Sequence, residues 1–475
     1  MNKVFVLGID GAMPEKVFGN WLNELPNIKK LTEQGCYAKL NSTDPPLSIT
    51  AWSSITTGKS PTDTGIFEYI YRKNRSYNDI NVMTSRNLQE KTVWELASEK
   101  GIKSIVAYMI LTWPLKPFNG CLVAGPQRPN NPDVKCVYPL EMKQEIVDMF
   151  GEVPGFDIPR FRSSYEIAKT AKTEEIPKEY IIEQCTKTAE KNIKLMKHLL
   201  TTKEWDLFFG VIGMTDQMNH MFWKYCDKEH RKYDPNSEYR STLKEFYKYI
   251  DKEVGKLLEL LDENTKIILL SDHGIKRLHT RVNVTDWLIK EGYMVLKEPI
   301  KGKTPFNLAM VDWNKTKAFA IGAYEAQVYL NLKGREPEGI VEKEEYDNLL
   351  QEMAEKLKKI PGDRGEELDT NIIYKKKDYD GKFIEDAPDM IVYFDKMEYG
   401  CNSTLIGNDT LWSPNTAKGS DDATHSEQGI FIMADGKSKG NLGEISYLDI
   451  APTVLNLLKV EIPQDMKGKI INPTS

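Results

Sequence analysis

Short unbroken apolar runs recur at positions 4–9, 104–110, 206–212, 266–270, 390–394 and 430–434, separated by longer amphipathic stretches. A run apolar at every residue has no side left for water. It belongs in a mainly parallel sheet with helices covering both faces. Helices are expected at 91–100, 183–201 and 241–261, and the fold class is α/β, doubly wound. Two segments break the rhythm. Residues 114–178 are rich in proline, and residues 297–386 combine a strand-like run at 326–332 with a turn-prone 333–339 and a charged helix near 342–358. The expected organisation is a core of 1–113, 179–296 and 387–475, interrupted by cap insertions at 114–178 and 297–386.

Charge narrows the partners. The 64 Lys+Arg against 70 Asp+Glu leave a net of −6, with both signs interspersed. Such a chain is not built to wrap nucleic acid or to lie on an anionic membrane. No apolar stretch approaches the about 18–20 residues a spanning helix needs. The six cysteines lie far apart, with no Cys-x-x-Cys pair, and read as reduced thiols. The first apolar run is too short for a signal-peptide core, so the expected location is the cytoplasm.

Three of the apolar runs end in the same way, with Asp10, Asp216 and Asp272 at or just beyond their carboxyl ends. In open α/β sheets that edge binds ligands. Asp216 and His220 have the i, i+4 spacing that puts two side chains on one helical face. Asp272 is followed by His273 and Gly274, and His425 closes a Gly/Ser/Asp-rich loop before the run at 430. Mixed carboxylate and imidazole donors suit Zn²⁺ first, with Mn²⁺ or Fe²⁺ as alternatives, and Ca²⁺ poorly. Six donors are too many for one tetrahedral ion and enough for two. His198, His230 and His279 lack an acidic strand end beside them and are expected at the surface.

The segment from Asp44 to Gly58 reads as an extended entry, a short helix and a glycine stop, with Ser48 at or near the helix start. A hydroxyl there faces unpaired backbone N–H groups, a natural place for a phosphate or sulfate ester. A plain capping serine would look the same.

In order and spacing, several fragments together resemble the alkaline phosphatase superfamily, in particular its type I phosphodiesterase/nucleotide pyrophosphatase branch and the prokaryotic phosphohydrolases and phosphomutases related to it. They are Gly8-Ile9-Asp10-Gly11, Pro45-Pro46-Leu47-Ser48-Ile49-Thr50-Ala51-Trp52 leading to Thr57-Gly58, Asp216 with His220, Ser271-Asp272-His273-Gly274, and Thr424-His425. The resemblance implies an alkaline phosphatase-like fold and two divalent metals. Asp216, His220 and His425 would hold one ion, and Asp10, Asp272, His273 and the nucleophile the other. In the family the nucleophile stands ten residues before the glycine of the Thr-Gly pair, which is Ser48 here. Relatives read Thr-x-Pro-Ala-Trp, so serine replaces threonine and Thr50, standing where they have proline, is the rival hydroxyl. The implied reaction is hydrolysis of a small-molecule phosphate ester or nucleotide, of phosphodiesterase type, through a phosphoseryl intermediate. A phosphomonoesterase or phosphomutase is the nearest alternative. A sulfatase fits less well, because Thr50 and Trp52 stand where its motif has proline and arginine. A non-catalytic phospho-ligand binder fits least, since no donor is lost. In the insertions, Arg128, Arg160, Arg162 and Arg335 are expected to be solvated, with a distal phosphate as their alternative partner.

Overall fold

Along the strand Val4–Ile9 every residue is buried. Successive strand residues point to opposite faces, so both faces of this strand are covered. The computed structural model describes residues 3–126, 128–129, 133–155, 177–416 and 419–472. It sets this strand at the centre of a nine-stranded sheet ordered Gly440–Ser446, Cys36–Asn41, Gln428–Ala434, Lys266–Leu270, Val4–Ile9, Leu207–Ile212, Ser104–Ala107, Gly120–Val123 and Val137–Tyr138. Val4–Ile9 runs parallel to both Leu207–Ile212 and Lys266–Leu270. Ser104–Ala107 runs parallel to Leu207–Ile212 and to Gly120–Val123. On the other side, Gln428–Ala434 joins antiparallel. The helices Pro26–Gln34, Lys178–Thr202, Met214–Cys226 and Thr242–Leu258 pack with one another, while Ser48–Thr57, Val93–Glu99 and Ile450–Leu457 form a second packed group. This is the mainly parallel α/β sheet that the apolar runs imply.

Segment by segment, the organisation differs from the expected one. Gly120–Val123 and Val137–Tyr138 come from the proline-rich stretch expected as an insertion, yet they complete one edge of the sheet. Edge strands of two to four residues tolerate prolines between them. The run at 390–394 does not join the central sheet. Met390–Tyr393 pairs with Ala326–Leu330 and Asn371–Tyr374 in a separate antiparallel sheet completed by Ala318–Ile321. Full burial marks a strand as internal but does not say to which sheet it belongs.

That second sheet has its own apolar cluster, which runs from Val282 to Cys401 and includes one face of the helix Tyr346–Leu357. The limits 297 and 386 therefore fall inside this unit. It also takes Tyr77 from the N-terminal part of the chain. Tyr77 lies between the paired strands Ile70–Arg72 and Ile80–Val82. Its ring stacks on Trp313 at 3.6 Å, and its hydroxyl donates to Asn331 at 2.5 Å, across 254 residues. Ile70, Ile80 and Val82 of the hairpin stay exposed. The six cysteines are unpaired. Among the described residues no helix is long and apolar enough to cross a membrane.

Candidate metal centre and nucleophile

Three neighbouring parallel strands share one carboxyl edge, and the three aspartates converge there. Asp10 directly follows Val4–Ile9, Asp272 lies two residues past Lys266–Leu270, and Asp216 sits in the first turn of Met214–Cys226. All three are buried. One helical turn on from Asp216, His220 Nε2 is 3.3 Å from Asp216 Oδ1. His273 Nε2 lies 3.2 Å from Asp272 Oδ2 and 3.7 Å from Asp10 Oδ1. His425 arrives on Ala423–Ser426, which pairs antiparallel with Gly274–Arg277. Its ring stacks on His273 at 3.7 Å, and its Nε2 is 3.2 Å from His220 Nε2 and 3.8 Å from Asp216 Oδ1.

Every one of these histidines turns Nε2 inward and gives Nδ1 an outer partner. For His273 that partner is the Gly274 carbonyl at 3.0 Å, for His425 the Pro46 carbonyl at 2.7 Å, and for His220 the Asp421 carboxylate at 3.2 Å. A carbonyl only accepts, so the proton of His273 and of His425 is on Nδ1, and Nε2 offers a lone pair. Two sets of donors lie within 4.8 Å of one another, Asp216 with His220 and His425, and Asp10 with Asp216 and His273. Asp216 thus lies between the two sets, with Asp272 against His273.

The electrostatics call for cations. Burial, then the neighbouring Asp272 and Asp216, pushes the Asp10 carboxyl well above its usual range. Burial also raises Asp272. Although burial opposes it, the His220 and His425 rings hold Asp216 below that range. Burial, with the His273 ring beside it, drives His425 well below an ordinary histidine. For His220, burial is outweighed by Asp421 and Asp216, and the ring is held at about 9. Asp216 Oδ1 and Asp272 Oδ2 are buried without a hydrogen-bond donor. A buried carboxylate oxygen left in this way is costly unless a charge meets it. Orphaned carboxylate oxygens beside inward-facing imidazole lone pairs fit divalent metal ions.

At the same edge, Ser48 opens the helix Ser48–Thr57 as its first residue, Leu47 being the cap, and Gly58 ends it with φ 66°. Ser48 Oγ is 3.0 Å from His273 Nε2 and 3.5 Å from Asp10 Oδ1. Thr50 is fully buried, and its hydroxyl has no hydrogen-bond partner. The Trp52 indole N–H donates to Asp10 Oδ2 at 2.9 Å. Burial, eased only in part by the nearby Ser48 hydroxyl, keeps the Tyr69 hydroxyl protonated far above the usual range.

Other candidates sit elsewhere. His198 meets Glu145 at 2.5 Å and His279 meets Glu398 at 3.3 Å. His230 is buried, not at the surface, because its Nε2 has a partner in the Asp422 carbonyl at 3.0 Å. The Arg335 side chain, 6% exposed, is forked onto Asp389 at 2.6 and 2.7 Å and is not solvated. Arg128 donates to the Val153 and Pro154 carbonyls. Arg160 and Arg162 lie outside the described residues. Tyr69, Tyr324 and Asp421 are the site residues that the sequence reading missed. Only Asp421 left a trace, in the acidic loop before His425.

A family model described as Type I phosphodiesterase / nucleotide pyrophosphatase matches residues 4–402. No curated protein matches the chain. Among solved structures, an inactive variant of murine ectonucleotide pyrophosphatase / phosphodiesterase 5 in complex with AMP superposes with a TM-score of 0.55 at 12% identity, over 98% of this chain and 97% of that one. The murine protein in a second structure gives 0.54 at 12% identity, again over 98% and 97%. Its human counterpart gives 0.51 at 13% over the same shares.

Proposed function

The chain belongs to the type I phosphodiesterase / nucleotide pyrophosphatase family, hydrolases of phosphoric ester bonds, and from that premise we propose that it cleaves phosphodiester or pyrophosphate bonds of a small phosphate ester or nucleotide through a phosphoseryl intermediate on Ser48. One observation carries the reading. The Ser48 hydroxyl is within 3.5 Å of both Asp10 and His273 at the start of a helix.

Asp216, His220 and His425 would hold one divalent ion, and Asp10, Asp272, His273 and Ser48 the other, with Zn²⁺ first and Mn²⁺ the alternative. Bound there, such ions supply Lewis-acid charge that lowers the pKa of the serine hydroxyl and offsets charge on the phosphoryl oxygens. Ser48 then loses its proton to solvent and forms an Oγ–P bond as the P–O bond to the leaving group breaks. Water cleaves the Oγ–P bond, and a proton returns to Oγ. The unpaired N–H groups of the first helical turn face the anionic phosphoryl group.

The test pairs Ser48→Ala with metal analysis and with turnover of bis-p-nitrophenyl phosphate, p-nitrophenyl phosphate and p-nitrophenyl sulfate. Diester turnover should fall by at least about a thousandfold, with metal content near two ions per chain. A variant that keeps most of its activity would overturn the assignment and point to Thr50. Faster turnover of the monoester or the sulfate by the unmodified enzyme would overturn the diester reading.

A further inference from the structure

The three inward-facing histidines are not supported alike. His273 and His425 rest their Nδ1 atoms on neutral main-chain carbonyls, whereas His220 rests on the carboxylate of Asp421. That carboxylate is itself fixed from several sides. Tyr324 donates its hydroxyl to Asp421 Oδ2 at 3.1 Å, the Ala423 N–H donates to Oδ1 at 3.2 Å, and the Arg281 guanidinium stands 3.9 Å from Oδ2. Tyr324 also covers the rings. It lies nearly parallel to His220 at 5.5 Å and 17°, and 4.6 Å from His425. It lies in the loop that joins Ala318–Ile321 to Ala326–Leu330 of the second sheet and packs against the core that carries the metal donors.

We propose that Asp421 and Tyr324 are positioning residues that set the affinity of the Asp216–His220–His425 metal position alone, so that the second unit of the fold controls one of two ions. The inference rests on the two-ion reading above. A carboxylate that accepts the Nδ1 proton fixes the tautomer, orients the ring and makes Nε2 a stronger donor. A backbone carbonyl does the first two and does the third less strongly. Asp421 lies on the far side of the His220 ring from Asp216, so its role is on the imidazole and not on the metal. Asp421 meets His220, and Tyr324 meets His220 and His425, all ligands of one position, which is where the effect should fall.

Full-length enzyme is stripped with a chelator and refilled with Zn²⁺ against a competing fluorescent chelator, with stoichiometry from atomic emission. Wild type should take up two ions. Asp421→Asn, nearly the same shape without the charge, should bind one ion about 10–100-fold more weakly and the other as before. Tyr324→Phe keeps the ring and deletes only the hydroxyl, so a variant that folds poorly at 421 does not end the test. It should weaken the same ion by a smaller factor. A wild type that binds fewer than two ions overturns the two-ion reading itself. Two tight ions in wild type with equal weakening of both in the variants, or with no weakening, overturns the role assigned to Asp421 and Tyr324 alone.

Discussion

The Tyr69 hydroxyl is buried near Ser48, Asp10 and Asp216 and stays protonated there. In the proposed phosphoseryl intermediate, a protonated hydroxyl in that cluster is placed to donate to a non-bridging phosphoryl oxygen. Tyr69→Phe should therefore lower kcat by about 10–100-fold and change KM much less, since its bond strengthens as charge develops. An equal rise in KM with kcat intact would make it a ground-state contact. At this scale legibility followed chemistry plus spacing. Asp10, Asp216 with His220, Asp272 with His273, and His425 each carry a residue type and a position that name them. Tyr69 is an ordinary tyrosine between Glu68 and Ile70, and Asp421 meets His220 across 201 residues. Only folding makes either one a neighbour of the site.

Between elements, the contact of Val4–Ile9 with the helix Ser48–Thr57 runs through Gly8 and Trp52. A Cβ on Gly8 would fall 2.3 Å from Trp52 Cη2, so the indole lies where any larger residue would put its side chain. The same indole fixes Asp10. Gly8→Ala should displace the ring and cost both stability, by about 1–3 kcal/mol as overpacking does, and activity. The decisive comparison is Trp52→Phe, which frees Asp10 without the clash. If Gly8→Ala loses stability but not activity, the indole does not hold the carboxylate for catalysis. Element boundaries were legible where a strand is central, as at 4–9, where burial is complete, and at 266–270, where the last three residues are buried. The edge strands Gly120–Val123 and Val137–Tyr138 and the placement of Met390–Tyr393 were not, because pairing partners far along the chain decide them.

Across the whole molecule, hydrogen bonds join the second unit to the core. The Tyr393 hydroxyl donates to Asp44 Oδ1 at 3.1 Å, that of Tyr379 to the Asp44 carbonyl at 3.2 Å, and Gln327 reaches the Phe67 carbonyl at 3.1 Å. Burial pushes Asp44 up to about 6. Burial, with Glu68 nearby, pushes Glu325 up to about 7 from its usual 4.5. An acid raised in the folded state favours folding while it is protonated. That contribution is whole below about 4.5 and is lost as pH rises through 7. Between pH 5 and 8 wild type should lose about 2–3 kcal/mol through Glu325 that Glu325→Gln keeps. Denaturant unfolding at the two pH values measures it, and parallel losses in both proteins would exclude Glu325 as the source.

Tyr77 and its stacking partner raise a question of time. At about 5–20 residues per second, the ribosome needs roughly 13–50 seconds to add the 254 residues between Tyr77 and Asn331. Through that interval the newborn hairpin has no Asn331, and for most of it no Trp313, to close on, and two strands alone are barely stable in water. Ile70, Ile80 and Val82 point outward even when it has closed. The survival of this hairpin during synthesis depends on what holds it while it waits.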